Sequence, residues 1–236
     1  MPAEANILTA LFLGLLLGVK HALDADHVVA VTTIVSRSGS ILRSALVGLS
    51  WGIGHTITLF AAGFAVLVLK LTIPDRMALS MEFAVGVLLV LLGVPLLKQL
   101  VVSRAHIHPH QHGDRRHFHS HYHADTPAHD HSHLKRPLLV GMLHGLAGSG
   151  ALTLLVLNTM SSVAQGLVFL LVFGAGSILG MLVFSGLIGI PFKLTAGRSL
   201  RLNLWVHGAA GFISIVLGLL IMWQTGFAGD LFRSTG

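Results

Sequence analysis

Two imidazoles, two carboxylates and an ammonium stand within eight positions of one another in GVKHALDADHVVAV, residues 18–31: Lys20, His21, Asp24, Asp26 and His27. On a single helix at about 100° per residue, His21, Asp24 and His27 share an arc of about 120° over two turns. Two imidazoles and a carboxylate are a nitrogen–oxygen ligand set that suits Ni(II), Co(II) and Zn(II). Asp26 lies about 140° from His21 on a regular helix. Either the helix breaks there, or Asp26 accepts a hydrogen bond that orients a ligand histidine. The competing reading is an interior ion network, with Lys20 paired to Asp24 four residues on and the histidines as helpers.

The elements that must position these groups are greasy. Of 236 residues, 53% are hydrophobic and 10% charged, with a mean hydropathy of +0.81. A soluble domain carries about 25% charged residues, so composition alone reads as a membrane protein. An Asp or Lys at a helix centre costs about 2.5–3.5 kcal/mol on insertion scales, so three left unpaired cost on the order of 8–10 kcal/mol. Such residues are expected to face the protein interior or a wet cavity. The chain has no cysteine, which excludes disulfides, thiolate metal sites, cysteine nucleophiles and the soft ligands suited to Cu(I). The first apolar run follows no basic segment and leads into charge, so it reads as an uncleaved helix.

Six stretches are long enough to span a bilayer core of about 20 residues: 6–35, 41–70, 77–102, 137–159, 163–191 and 203–227. One side of the membrane receives Arg37, Arg43, Lys98, Arg104, Arg115, Arg116, Lys135, Arg136, Lys193, Arg198 and Arg201; the other receives Lys70, Arg76 and Arg233. This asymmetry predicts that the loops after the first, third and fifth spans are cytoplasmic and both termini outside, in the cell (inner) membrane. It also accounts for the basic balance without nucleic acid.

The chain repeats itself. GVKHAL at 18–23 matches GMLHGL at 141–146, GIGHTITLF at 52–60 echoes GAGSILGML at 174–182, and GVLLVLLG at 86–93 resembles GFISIVLG at 211–218. The near-constant offset predicts one three-helix unit written twice, and an odd number of helices inverts the second copy. The expected fold is an all-α polytopic membrane protein of six transmembrane helices in two inverted repeats, 1–102 and 137–236, joined by a His-rich cytoplasmic loop, 103–136. Small residues four apart (Gly14/Gly18, Gly48/Gly52, Gly141/Gly145, Gly176/Gly180) are expected at close helix contacts.

HALDADH, with His21, Asp26 and His27 as His-x4-Asp-His, resembles the signature of the nickel/cobalt transporter (NiCoT) family, and GIGHT around His55 is similar to its second motif. In size the chain is similar to the shorter six-helix branch, which includes urease-accessory-type nickel transporters. The resemblance implies nickel or cobalt recognition by His21, Asp26 and His27, and by extension Asp24 and His55. Larger members carry acidic residues in later motifs. Here LHGLAGSGAL and GMLVFSG hold no carboxylate, leaving His144, at the repeat equivalent of His21, and Ser149.

Residues 106–133 hold eleven of the sixteen histidines: His106, His108, His110, His112, His117, His119, His121, His123, His129, His131 and His133. With no apolar run to offset chain entropy, this stretch is expected to be disordered without metal. Histidines two apart form loose chelates, which suits a cytoplasmic metal buffer.

The expected activity is transport, not catalysis. The substrate is a divalent metal ion, Ni2+ or else Co2+, moved through an intramembrane His/Asp site with no resident cofactor. Cytoplasmic nickel-enzyme maturation proteins are expected recipients, alongside the lipid bilayer as the other partner. A divalent cation moving inward at about 150 mV gains roughly 7 kcal/mol, near 10⁵-fold accumulation, so uptake needs no further energy source. Efflux by proton exchange through the same residues is the alternative direction, and a sensor that moves no metal is a further alternative. An intramembrane serine hydrolase using Ser149 and His207 is the reading from another class.

Overall fold

The computed structural model describes residues 2–36, 38–102, 110–112, 115–117, 132–160, 162–196, 200–229 and 231–232. Helices α1 (Pro2–His21) and α2 (Ala25–Val35) lie on one apolar run but meet at a 54° bend. Helices α3 (Ile41–Leu67), α4 (Asp75–Val102), α5 (Ser132–Thr159), α6 (Val163–Ala196) and α7 (Leu200–Trp223) follow, the last loosening into a π-helical turn at Gln224–Ala228. Among the described residues, four helices are long and apolar enough to cross a membrane: Ile41–Leu67, Asp75–Gln99, Val163–Thr195 and Leu202–Ala228. The bent pair counted as one span makes five. The stretch 137–159 is helical throughout as α5, and its side chains from 148 to 159 lie outside those described.

The first expected span is therefore not one continuous helix. Its break sits inside the charged cluster, and the charges match the ends it creates. Lys20 and His21 occupy the last turn of α1, where backbone carbonyls favour positive charge, and Asp26 occupies the first turn of α2, where backbone N–H groups favour negative charge. Asp24 stands at the N-cap of α2, yet its carboxylate makes no cap hydrogen bond. It accepts one from the His21 ring instead.

Among the described residues, one short hairpin departs from the helical pattern. Strands β1 (His110–His112) and β2 (Arg115–His117) pair antiparallel, with His110 opposite His117. A tight antiparallel pairing satisfies backbone groups locally without needing an apolar face. His106, His108, His119, His121, His123, His129 and His131 lie outside the described residues.

Helix α3 is the centre of the packing, lying against α5 and α6, while α1 packs on α6 and α4 on α7. Lipid tails are as apolar as leucine, so helices in a bilayer associate through close packing rather than hydrophobic transfer. Glycine supplies that packing here. A side chain at Gly18 would strike the Phe173 carbonyl of α6, and one at Gly141 the Trp51 carbonyl of α3. Likewise Gly54 abuts the Leu138 carbonyl and Gly176 the Leu15 carbonyl. Gly86 and Gly93 of α4 meet the carbonyls of Gly218 and Gly211 of α7, and the reverse holds. Large apolar side chains such as Leu91, Trp205 and Phe212 stay exposed on the outer helix faces, as a multi-pass protein in lipid requires.

Candidate metal centre

The helix break and the glycine contacts bring four histidines from four helices together. His21 closes α1, His27 lies in the first turns of α2, His55 in α3 and His144 in α5. Gly145, next to His144, seats α5 against the His55 carbonyl of α3. Ring centroids lie 4.6 Å apart for His21 and His27, 5.0 Å for His27 and His55, 5.2 Å for His21 and His55, and 4.3 Å for His27 and His144. His27, His55 and His144 are buried to 2% exposure or less.

Each carboxylate orients imidazoles. The His21 Nδ1–H donates to Asp24 Oδ2 at 2.7 Å. Asp26 accepts twice, from His27 Nδ1–H at 3.1 Å and His144 Nε2–H at 2.8 Å, and takes the His27 backbone N–H at 3.0 Å as well. A carboxylate that holds one ring nitrogen fixes the tautomer and turns the other nitrogen's lone pair outward. The lone pairs left are on His21 Nε2, His27 Nε2 and His144 Nδ1. At Asp26 the helix breaks, and the carboxylate accepts from both the His27 and His144 rings.

Three buried ring nitrogens have no protein partner among the described residues: His27 Nε2, His55 Nδ1 and His144 Nδ1. Each buried unsatisfied polar atom costs about 1–3 kcal/mol, so three on neighbouring rings are a cost that the described protein partners do not offset. His21 Nε2 and His55 Nε2 are 3.3 Å apart. Two nitrogens at about 2.1 Å from a common ion stand roughly 3.0–3.4 Å apart in octahedral or tetrahedral geometry. Two groups of three offer donor atoms within 4.8 Å of one another, His21/His27/His55 and Asp26/His27/His144, and His27 belongs to both.

All six residues singled out around the motif come together, with different parts. His21, His27, His55, His144 and Asp26 offer donors, whereas Asp24 is half-exposed and engaged with His21. Lys20 lines the same cavity as Asp24, without a described ion pair between them. His207 stands apart: its ring nitrogens face the backbone carbonyls of Asn203 at 2.8 Å and Ser36 at 3.0 Å, tying α7 to the end of α2. That leaves His207 no free nitrogen to serve as a hydrolase base; the Ser149 side chain lies outside the description. His110, His112, His117 and His133 are described in backbone only.

Three residues at the centre carry no motif signal. The Trp51 ring lies 5.6 Å from His144, Phe173 packs 5.4 Å from His21, and the buried Ser177 hydroxyl of α6 has no described partner. Ser177 stands at the repeat equivalent of His55, the one sequence signal that pointed to it.

Comparison with known proteins agrees with a membrane assembly. Residues 68–220 match the family described as the cytochrome c biogenesis protein transmembrane region. The urease accessory protein UreH of Bacillus sp. (strain TB-90) is 40% identical over 232 residues, 98% of this chain and 97% of that one. Two Arabidopsis thaliana chloroplast proteins, FOR GROWTH AND FERTILITY 2 and FOR GROWTH AND FERTILITY 1, are each 24% identical over nearly all of this chain, which spans 60% and 63% of their lengths. No solved structure matches. The chain is a multi-pass membrane protein that belongs to the cytochrome c biogenesis transmembrane-region family and to the family of the urease accessory protein UreH.

Proposed function

We propose that this protein carries a divalent transition-metal ion, Ni2+ or else Co2+, across the cell membrane into the cytoplasm, with the ion shedding water onto His21, His27 and His55. The observation that carries this reading is the convergence of carboxylate-oriented imidazoles with unpartnered nitrogens at a broken membrane helix. Discontinuous helices commonly form the substrate sites of secondary transporters. Urease is a nickel enzyme, so kinship with a urease accessory protein favours nickel over zinc and links the cargo to nickel-enzyme maturation. The HALDADH motif supports membership of the NiCoT family.

Two inverted three-helix repeats fit the same reading, with α1 and α2 together as one span and α5 as a sixth. Exchanging the halves turns the Gly18–Phe173 contact into Gly141–Trp51, and Gly176–Leu15 into Gly54–Leu138. The contact of α1 with α6 becomes that of α5 with α3, and α4 with α7 maps onto itself. Rocking of one repeat against the other would expose His27, shared by both donor groups, to each side in turn. The Lys/Arg asymmetry supports cytoplasmic placement of the histidine loop as a metal buffer.

The test is nickel flux into proteoliposomes of purified protein under an imposed inside-negative potential, with His27→Ala in parallel. Potential-driven uptake abolished by the substitution is the expected result. Silence of the wild type toward nickel, cobalt and zinc, with and without a proton gradient, would sink the proposal. Flux only outward against a proton gradient would reverse its direction.

A further inference from the structure

A cavity of about 750 Å³ reaches the metal centre from one side, and its wall carries an acid that no motif marks. Of the nine Asp and Glu residues, only Asp24, Asp26 and Glu82 fall within the spans read from the sequence. All three line this cavity, together with His21. So does Lys20, at the centre of its span. Three carboxylates against one ammonium leave the cavity formally anionic. Intramembrane ionisable groups are costly, and they collect where water and ions pass.

The wall is completed by the first turns of α4, which hold Glu82, and by Gln224 and Thr225 of the π-helical turn that ends α7. π-Helical turns are rare and frequently sit at functional sites. Both wall segments lie at the Lys/Arg-poor end of the helices, the end the charge asymmetry puts outside. Exposure falls along the route: Asp24 is 49% exposed, Asp26 32%, His21 19% and His27 2%.

Building on the uptake reading, we infer that this cavity is the outer vestibule through which the hydrated cation reaches the histidines, and that Glu82 is its capture carboxylate. Glu82 raises the local concentration of the ion and is not a ligand at the buried centre. Loss of one unit charge acting on a divalent ion across several ångströms of wet cavity changes capture by about five- to tenfold.

The absence of cysteine makes the test clean. Ala147→Cys places a single thiol in the cavity wall about one helical turn from His144, Leu79→Cys a second one about a turn from Glu82, and Leu91→Cys a control on an outward-facing, 64% exposed surface of α4. A charged, membrane-impermeant thiol reagent is applied to oriented vesicles from each side, and Glu82→Gln is assayed for nickel uptake. The expected result is labelling of Ala147→Cys and Leu79→Cys from the outside, no labelling of Leu91→Cys, and a rise of about five- to tenfold in KM for Glu82→Gln at unchanged kcat. That KM effect should fade at high salt.

Labelling of Ala147→Cys only from the cytoplasmic side, or only of Leu79→Cys, would overturn the vestibule. A Glu82→Gln protein with wild-type KM, or with a lowered kcat at unchanged KM, would overturn the capture role. The labelling does not depend on flux, so an outside-accessible cavity in a protein that moves no metal would count against the uptake reading and not against the cavity.

Discussion

Replacing Asp26 by Asn tests the arrangement where it is most specific. The change keeps the shape and one acceptor oxygen, but removes the charge that binds the His27 ring at 3.1 Å and the His144 ring at 2.8 Å. The amide nitrogen cannot accept from either ring, so at least one imidazole loses its anchor and its tautomer is no longer fixed. Loss of such an orienting partner costs about 10–100-fold in metal affinity, or roughly 1.4–2.7 kcal/mol. Asp24 holds His21 at a shorter 2.7 Å but is 49% exposed, where water can replace the acceptor. Asp24→Asn is therefore expected to cost less than about fivefold. His27→Ala removes the donor common to both groups and should lose more than about 100-fold. The assay is Ni2+ titration calorimetry in lipid nanodiscs, in a background with the eleven loop histidines changed to Ser so that the loop contributes no heat. Melting temperatures are recorded for each variant without metal to separate binding from folding. Binding by Asp26→Asn within twofold of wild type, or an Asp24→Asn loss as large as that of Asp26→Asn, would refute the assignment of Asp26 as the orienting carboxylate.

Further outcomes follow from the same geometry. Gly141→Ala and Gly18→Ala each drive a methyl group into a carbonyl of the facing helix and should destabilise the protein by about 1–3 kcal/mol in thermal unfolding. Gly186→Ala meets only ordinary contacts at 3.6 Å and 3.9 Å and should stay within about 0.5 kcal/mol of wild type. His207→Ala should lower thermal stability by about 1 kcal/mol through loss of its backbone hydrogen bonds while leaving Ni2+ affinity unchanged. Ser149→Ala should leave uptake intact, and a transport loss there with His21→Ala harmless would revive the hydrolase alternative. Replacing the loop histidines should lower the number of ions bound per chain, measured by equilibrium dialysis, without raising the transport KM.

Kinds of information separate cleanly in this protein. Membrane character, the helical class, the glycine seams and the residues that meet in the candidate centre were legible in order along the chain, because each depends on composition or on local spacing. The cost of Lys20, Asp24 and Asp26 in an apolar run already demanded a special environment for them. Spacing could not say how that environment is built. A regular helix puts Asp26 off the stripe of His21, Asp24 and His27, and only the 54° break lets it reach both His27 and His144. His144 is 118 residues from Asp26 in sequence, and its approach depends on α5 and α3 meeting at Gly141 and Gly145. Glu82 is one acid in a long apolar helix, and nothing local marks which way it faces. Local chemistry determined which groups the protein owns. Backbone approach between distant helices, possible only where glycine removes the side chain, decided which of them meet and which face the cavity that leads to them.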